Sequence, residues 1–326
     1  MLRPLNWQPG ASFETLATRA RMVQDIRAFF AARGVLEVET PTLARTASTD
    51  VHIESLRVSD QRGEVGFLHT SPEFFMKRLL AAGSGPIYQV SKVFRGGEVG
   101  RWHNPEFTLL EWYRPGFGLD ALMDEVEALV RALAQDMPSR PGTSRRIGYR
   151  EAFIEHIGID PWTADLKTLI RCARAHGLDV ENDEHFSLDD WLDLLFAGVL
   201  APRLPADALT FIHGFPPSQA ALAKRMMHDG MEVAARFELF WGDLELANGF
   251  DELQDANEQE RRFAADNAER ERCGLPAMPP DERLIEALRA GLPACAGVAV
   301  GLDRLLARLL GAGGLDEVLA FGIHRI

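Results

Sequence analysis

A chain of 326 residues, 46% of them hydrophobic, can bury a sizeable core, and its length fits one large domain or two smaller ones. A formal net charge of -13 gives no overall basic field to draw in nucleic acid or an anionic membrane surface. Cys172, Cys273 and Cys295 are too few and too far apart for a disulfide framework or a CxxC metal site, which points to a reducing, cytoplasmic setting without a membrane partner.

The chain opens on a short polar tail that lacks the apolar core of a signal sequence. In TLATRARMVQDIRAFFAARG, Leu16, Val23, Ile26 and Phe30 recur at helical spacing, and Gly34 is positioned to end the helix. VLEVETPTL alternates apolar and acidic residues up to Pro41, which predicts a strand entering an extended turn. HTSPEFFMKRLLAAG carries Ser71 as N-cap, Pro72 at the first helical position and Gly83 past the last turn. PIYQVSKVFR and EFTLLEWYR predict two strands joined by a charged, glycine-bearing connection. An amphipathic helix is expected over 119–137, and PSRPGTSRR after it reads as a linker. Residues from about 138 to 205 read as a mostly helical insertion, clearest in SLDDWLDLLFAGVL. Strands return at LTFIHGF and at AARFELFWGDLELANGF, with a hairpin turn at Gly242-Asp243. A charged helix is expected over 255–272, and GVAVGLDRLLARLLG reads as a strand running into a helix; the tract 296–310 is broken by Asp303, Arg304 and Arg308, so it cannot span a bilayer. This order predicts an α+β fold over 1–326, a single domain with a mainly antiparallel sheet flanked by helices.

Three clusters carry chemistry. FRGGEVGRWHNPEFT brings Arg95 to the end of one strand and His103 and Phe107 to the start of the next. An arginine fork grips phosphate and an aromatic face stacks on a base, so the stretch is either a nucleotide grip or a surface hairpin with incidental charges. Glu238, Glu245 and Glu252 recur every seven residues, and the turn at Gly242-Asp243 puts the first two on adjacent strands. There the two carboxylates can share a hard cation such as Mg2+; solvated acids on an exposed hairpin are the alternative. An odd spacing sends Glu245 and Glu252 to opposite faces of a regular strand, so a bulge or turn is expected at Asn248-Gly249. In GVAVGLDR the glycines permit close backbone approach to a ligand, and Arg304 either adds a second cation for a polyphosphate or pairs with Asp303.

GVLEVETPTL, VFRGGEVGRWHNPEFTLLEWY and GVAVGLDR resemble, in order and spacing, the three signature motifs of class II aminoacyl-tRNA synthetases, and LELANGFDEL is similar to the lysyl subgroup. The resemblance runs from about Arg21 to the end. Lysyl-tRNA synthetases carry an OB-fold ahead of the first motif; only about thirty residues precede it here, so neither an N-terminal OB-fold nor tRNA anticodon recognition is expected. Together with HTSPEFFMKRLL and EWYRPG, this resembles the lysyl-synthetase paralogues that modify translation elongation factor P. Members of that family activate (R)-β-lysine with ATP as an acyl-adenylate and pass it to a lysine ε-amine of the factor. Ser71 stands where synthetases usually carry alanine, and Ala299 where their third motif usually has glycine; both differences would reshape the pocket around the amino acid's backbone end.

The resemblance implies a role for each matching residue. Arg95 would clamp the α-phosphate and Arg304 the γ-phosphate, with His103 near the triphosphate, Phe107 stacked on adenine, and Asn104, Leu246 and Gly301 completing the ATP site. Glu238 and Glu245 would hold Mg2+. Tyr113 and Glu252 would receive the substrate's ε-ammonium, Glu73 and Glu111 its other amine, Asn248 its carboxylate end, and Ser71 and Ala299 would line the same pocket. The family's adenine-reading acid is replaced by Gly97, so either Glu98 swings in or the Gly96-Gly97 backbone substitutes for it. A homodimer built around Arg21 to Pro41 is implied as well. Two other readings stay open: an enzyme that acylates RNA, and a synthetase-like regulatory subunit without catalysis.

Overall fold

The computed structural model describes residues 7–180 and 186–326. The start of the N-terminal tail and residues 181–185 of the segment read as helical lie outside the described residues.

Helix α1 (Phe13–Ala31) starts where the Ser12 hydroxyl accepts from the amide of Thr15, and it buries Thr18, Met22, Ile26 and Phe30. That stripe corrects the expected one: Leu16 and Val23 are only half-buried. Gly34, at φ +66°, turns the chain so that Val35 donates back to the Phe30 carbonyl. Little of the expected VLEVETPTL strand forms: β1 is only Leu36–Glu37, followed by the short β2 (Leu43–Ala44). With β3 (Arg57–Asp60) and β4 (Gly63–Leu68), β2 makes a small separate sheet. Next comes α2 (Glu73–Ala81), with Pro72 already helical and Gly83 in the left-handed region behind it.

Strands β5 (Ile87–Phe94) and β6 (Glu106–Pro115) pair antiparallel on either side of the arginine-bearing connection, followed by α3 (Leu119–Leu133). The stretch read as a linker feeds directly into β7 (Ser144–Gly148), which lies parallel to β8 (Leu209–Phe215) at the sheet edge. Helices α4 (Tyr149–His156), α5 (Leu166–Ala175) and α6 (Leu188–Leu195) lie between these two strands in the chain. Tyr149, Phe153, Trp191 and Phe196 from this region pack on Ile212, Phe215 and Phe240 of the sheet.

The large sheet is completed by β9 (Arg225–His228), β10 (Met231–Trp241), β11 (Leu244–Asp251) and β12 (Cys295–Gly301). Its order is β1-β5-β6-β12-β11-β10-β8-β7, with β9 on β10. Only the edge pairs β1/β5 and β7/β8 are parallel; the interior is antiparallel, which lets each strand present one apolar and one polar face. On one face Trp112, Phe211, Phe237, Leu239 and Val298 pack against α1, α3 and α9 (Leu302–Leu310). Helices α7 (Ala256–Arg272) and α8 (Glu282–Gly291) join α2 in a third cluster around Met76, Leu80, Phe263 and Ile285.

Candidate active site

The sheet face turned away from the main core floors one large cavity, of about 1800 Å³, and every residue expected at the site lines it. The strand registers explain how. Glu111 and Tyr113 of β6 lie opposite Ala299 and Gly297 of β12, and Ala299 in turn lies opposite Asn248 of β11, which opposes Glu238 of β10. Alternation along each strand keeps these positions on one face. The expected bulge exists at a different place: Leu239 pairs with Ala247 and Phe240 with Glu245, so Leu246 is the extra residue. This shift, two residues before Asn248, brings Glu245 onto the face already shared by Glu238 and Asn248. Gly249 has another task, because a Cβ there would come within 2.4 Å of the Phe237 ring.

At one end of the floor the Arg95 guanidinium lies 5.1 Å from the centre of the Phe107 ring, and its Nη1 is 3.6 Å from Glu98. Arg95 Nε is buried without a hydrogen-bond partner. Gly97, at φ +71°, makes the turn that brings Glu98 to the cavity wall, while the Glu54 side chain fills the space beside Gly96. Arg304 does not pair with its neighbour Asp303, which is held instead by Arg19 of α1 at 2.5 Å and by the Thr108 amide at 2.8 Å. Its guanidinium donates to the Trp102 and Glu245 carbonyls, to Glu245 Oε2 at 3.2 Å and to His103 Nε2 at 2.7 Å. Burial, reinforced by the charge of Arg304, lowers the His103 pKa; the neutral ring that results is the form able to accept that bond. Asn104 lines the cavity, but both ends of its amide serve the fold, donating to the Glu106 carbonyl and accepting from the Ile323 amide.

The other end holds an acid cluster that the sequence only half revealed. Glu73, Glu111 and Glu252 converge there, and Lys77, buried to 1% exposure, sits between two of them, 2.6 Å from Glu73 and 2.6 Å from Glu252. Lys77 was missed by the sequence reading, although the i, i+4 spacing from Glu73 in SPEFFMK was the signal that could have found it. Tyr113 donates to Glu111 at 2.7 Å, and Ser71 donates to the other Glu111 oxygen at 2.9 Å while accepting from the Glu73 amide. Burial pushes the Glu252 pKa up to about 8 against the pull of Lys77, and that of Glu111 up to about 7 with the charge of Glu73 adding to it. Burial opposes the Lys77 charge, yet the carboxylates of Glu252 and Glu73 outweigh it and hold the pKa above the ordinary lysine range. Gly297 leaves the room for this cluster: a Cβ there would lie 2.3 Å from Tyr113 and 2.6 Å from Glu252.

Between the two ends lie Glu238, Asn248 and Ala299, with Arg236, a second residue that sequence reasoning missed, paired to Glu238. Burial raises the Glu238 pKa to about 7 despite Arg236, and the charge of Glu245 contributes to the rise. Two carboxylates on one face, with Glu245 raising the cost of the charge on Glu238, fit a hard divalent cation shared with phosphate oxygens. Among the described residues, no group of three or more His, Cys, Asp or Glu side chains is arranged so that it could hold a metal ion. No helix among them is long and apolar enough to cross a membrane.

The family model for class II tRNA synthetases (D, K and N) matches residues 3–325. Elongation factor P–(R)-beta-lysine ligase of Yersinia enterocolitica is 47% identical over 332 residues, covering 100% of both chains. The proteins of the same name from Pasteurella multocida and Mannheimia succiniciproducens are 44% and 46% identical, covering 99% and 98% of both chains respectively. Class II membership implies the use of ATP and, in general, a divalent cation. The chain belongs to the class II tRNA synthetase family (D, K and N) and is related over its whole length to elongation factor P–(R)-beta-lysine ligases.

Proposed function

We propose that this protein is an ATP-dependent ligase that activates (R)-β-lysine, or lysine, as an acyl-adenylate and transfers it to a lysine ε-amine of elongation factor P. The observation that carries this reading is the polarity of the cavity. An arginine-aromatic pair with a spare buried N–H lies at one end and a buried acid cluster at the other, so an extended diamino acid held by its amines would present its carboxylate toward a nucleotide. Three carboxylates against the single ammonium of Lys77 leave two negative charges once all are ionised, the complement of a substrate with two ammonium groups. The names of the full-length relatives support the same substrate and acceptor.

In this reading Glu252 and Tyr113 receive the ε-ammonium, Glu73 and Glu111 the other amine, and Asn248 the carboxylate. A carboxylate oxygen attacks the α-phosphorus and pyrophosphate leaves; the acceptor amine then attacks the acyl carbon and AMP leaves. Arg95 and Arg304 offset charge that develops on the phosphates, so the rate comes from positioning and electrostatics without a protein nucleophile. Mg2+ bound by Glu238 and Glu245 would supply further charge neutralisation on the phosphates. Phe107 stacks on the base, and Glu98, brought to the wall by Gly97, meets the adenine amino group. Exposed Phe13, Leu36 and Leu43 near the expected interface support a homodimer.

The test incubates enzyme, ATP and each labelled lysine isomer with elongation factor P or with bulk tRNA. Label on the factor is expected, and label on tRNA alone overturns the reading.

A further inference from the structure

We propose that Arg236 is a positioning residue for the amino-acid carboxylate: it fixes the Asn248 amide with the NH2 group toward the cavity. The inference deepens the functional reading above and rests on it.

Arg236 lies on β10, opposite Phe250 and two residues before Glu238, on the face that floors the cavity. Its guanidinium is held on several sides. Nη1 donates to the Gln219 carbonyl at 3.1 Å, Nη2 donates to Glu238 Oε1, and the group stacks 4.5 Å from the centre of the Phe215 ring. With the fork so anchored, Nε is directed at Asn248 and donates to Oδ1 at 3.2 Å.

The chemistry makes this contact an orienting one. A guanidinium has N–H donors and no acceptor, so only the oxygen end of the amide can face it; a flipped amide would set donors against a donor. The amide NH2 of Asn248 is therefore left for the cavity that the residue lines, between Glu238 on one neighbouring strand and Ala299 on the other. There it offers donors to a carboxylate and rejects the reversed arrangement, oxygen against oxygen. Without Arg236 the amide loses its reason to choose, and the carboxylate loses a pre-set donor.

The experiment compares two ligands by calorimetry: L-lysine, and 1,5-diaminopentane, which keeps both ammonium groups and lacks the carboxylate. Arg236→Met should lose about tenfold in lysine affinity, the scale of a hydrogen bond to a charged group, and less than twofold in diamine affinity. Asn248→Ala should show the same split, and the double variant should be no worse than Asn248→Ala, because the two residues act as one unit. Asn248→Asp keeps a partner for Arg236 but opposes carboxylate to carboxylate. It should lose lysine and retain the diamine, which keeps the proposal testable if Arg236→Met fails to fold. Equal losses for both ligands, or additive losses in the double variant, assign Arg236 a merely structural role and overturn the proposal. If the unaltered protein adenylates a diamino acid while Asn248→Asp discriminates as it does, the inference alone falls. If the unaltered protein binds neither lysine nor (R)-β-lysine, the functional reading falls and takes the inference with it.

Discussion

Arg95 holds a buried Nε without a partner beside the Phe107 ring, an arrangement that costs stability unless a ligand completes it. Arg95→Ala should therefore lower the rate of amino-acid-dependent pyrophosphate exchange by on the order of 10²-fold with little change in melting temperature. Near-normal exchange would remove Arg95 from the phosphate site. Ala299 makes the complementary case for specificity. Its methyl group lies in the floor between Asn248 and Glu111, the carboxylate and amine ends of the expected substrate. Ala299→Gly should raise the kcat/KM for L-lysine relative to (R)-β-lysine by roughly tenfold, the low end of what one methyl group can discriminate. An unchanged ratio would show that the methyl does not read the position of the amine.

The hairpin of β10 and β11 assembles most of the site's middle, and it depends on two packing details. Leu246 is the extra residue that brings Glu245 onto the face of Glu238, and Gly249 admits the Phe237 ring where a side chain would collide. Gly249→Ala should destabilise the protein by about 1–3 kcal/mol, the cost of overpacking, read as a lower midpoint in denaturant. A midpoint equal to that of the unaltered chain would show that the ring gives way freely. Periodicity showed that the spacing of Glu238, Glu245 and Glu252 required an irregular strand, and only the register of the pairing shows where the irregularity falls. For the same reason the strands β5, β6, β8, β10, β11 and β12 and the convergence of motifs were legible in the sequence, whereas Lys77, Arg236 and the Arg19–Asp303 pair were not. Local patterns register propensity and alternation; these side chains matter through partners on other strands and helices, or two positions along a strand whose facing neighbours are unknown. The acid cluster where α2, β6 and β11 meet gives a pH prediction. Glu111 and Glu252, raised to about 7 and about 8, are stabilising in their protonated forms, so the stability they contribute is complete below the ordinary glutamate pKa and is lost as pH rises through 7 to 8. A diammonium ligand needs the opposite, ionised forms, so its binding at neutral pH should release protons. Lysine affinity should tighten by roughly tenfold between pH 6 and pH 8, with proton release seen as a dependence of the calorimetric heat on the buffer. Affinity that is flat or falls over that range would exclude these carboxylates as the amine receptors.

At the scale of the molecule, the helix expected at a two-fold interface is wired to the nucleotide end of the cavity. Arg19 of α1 bonds to Asp303 at 2.5 Å and to the Thr108 hydroxyl at 2.7 Å, and Asp303 is the residue before Arg304. The outer side of this region exposes apolar surface, with Phe13 at 82%, Leu36 at 57% and Leu43 at 43%. Leu36 belongs to β1, the short strand at one edge of the large sheet, where an unpaired backbone row invites a partner. Burying such a patch against its own copy would cover the edge and brace α1, and through Arg19 it would brace the strand-to-helix junction that carries Arg304. Leu36→Glu should therefore convert a dimer to a monomer in sedimentation velocity, since two opposed charges would be buried at the axis. The monomer should also show a higher KM for ATP while its affinity for lysine, measured by calorimetry, stays within about twofold, because the acid cluster lies at the far end of the cavity. A monomeric unaltered protein, or a monomeric variant with an unchanged KM for ATP, would break the link between the interface and the arginine.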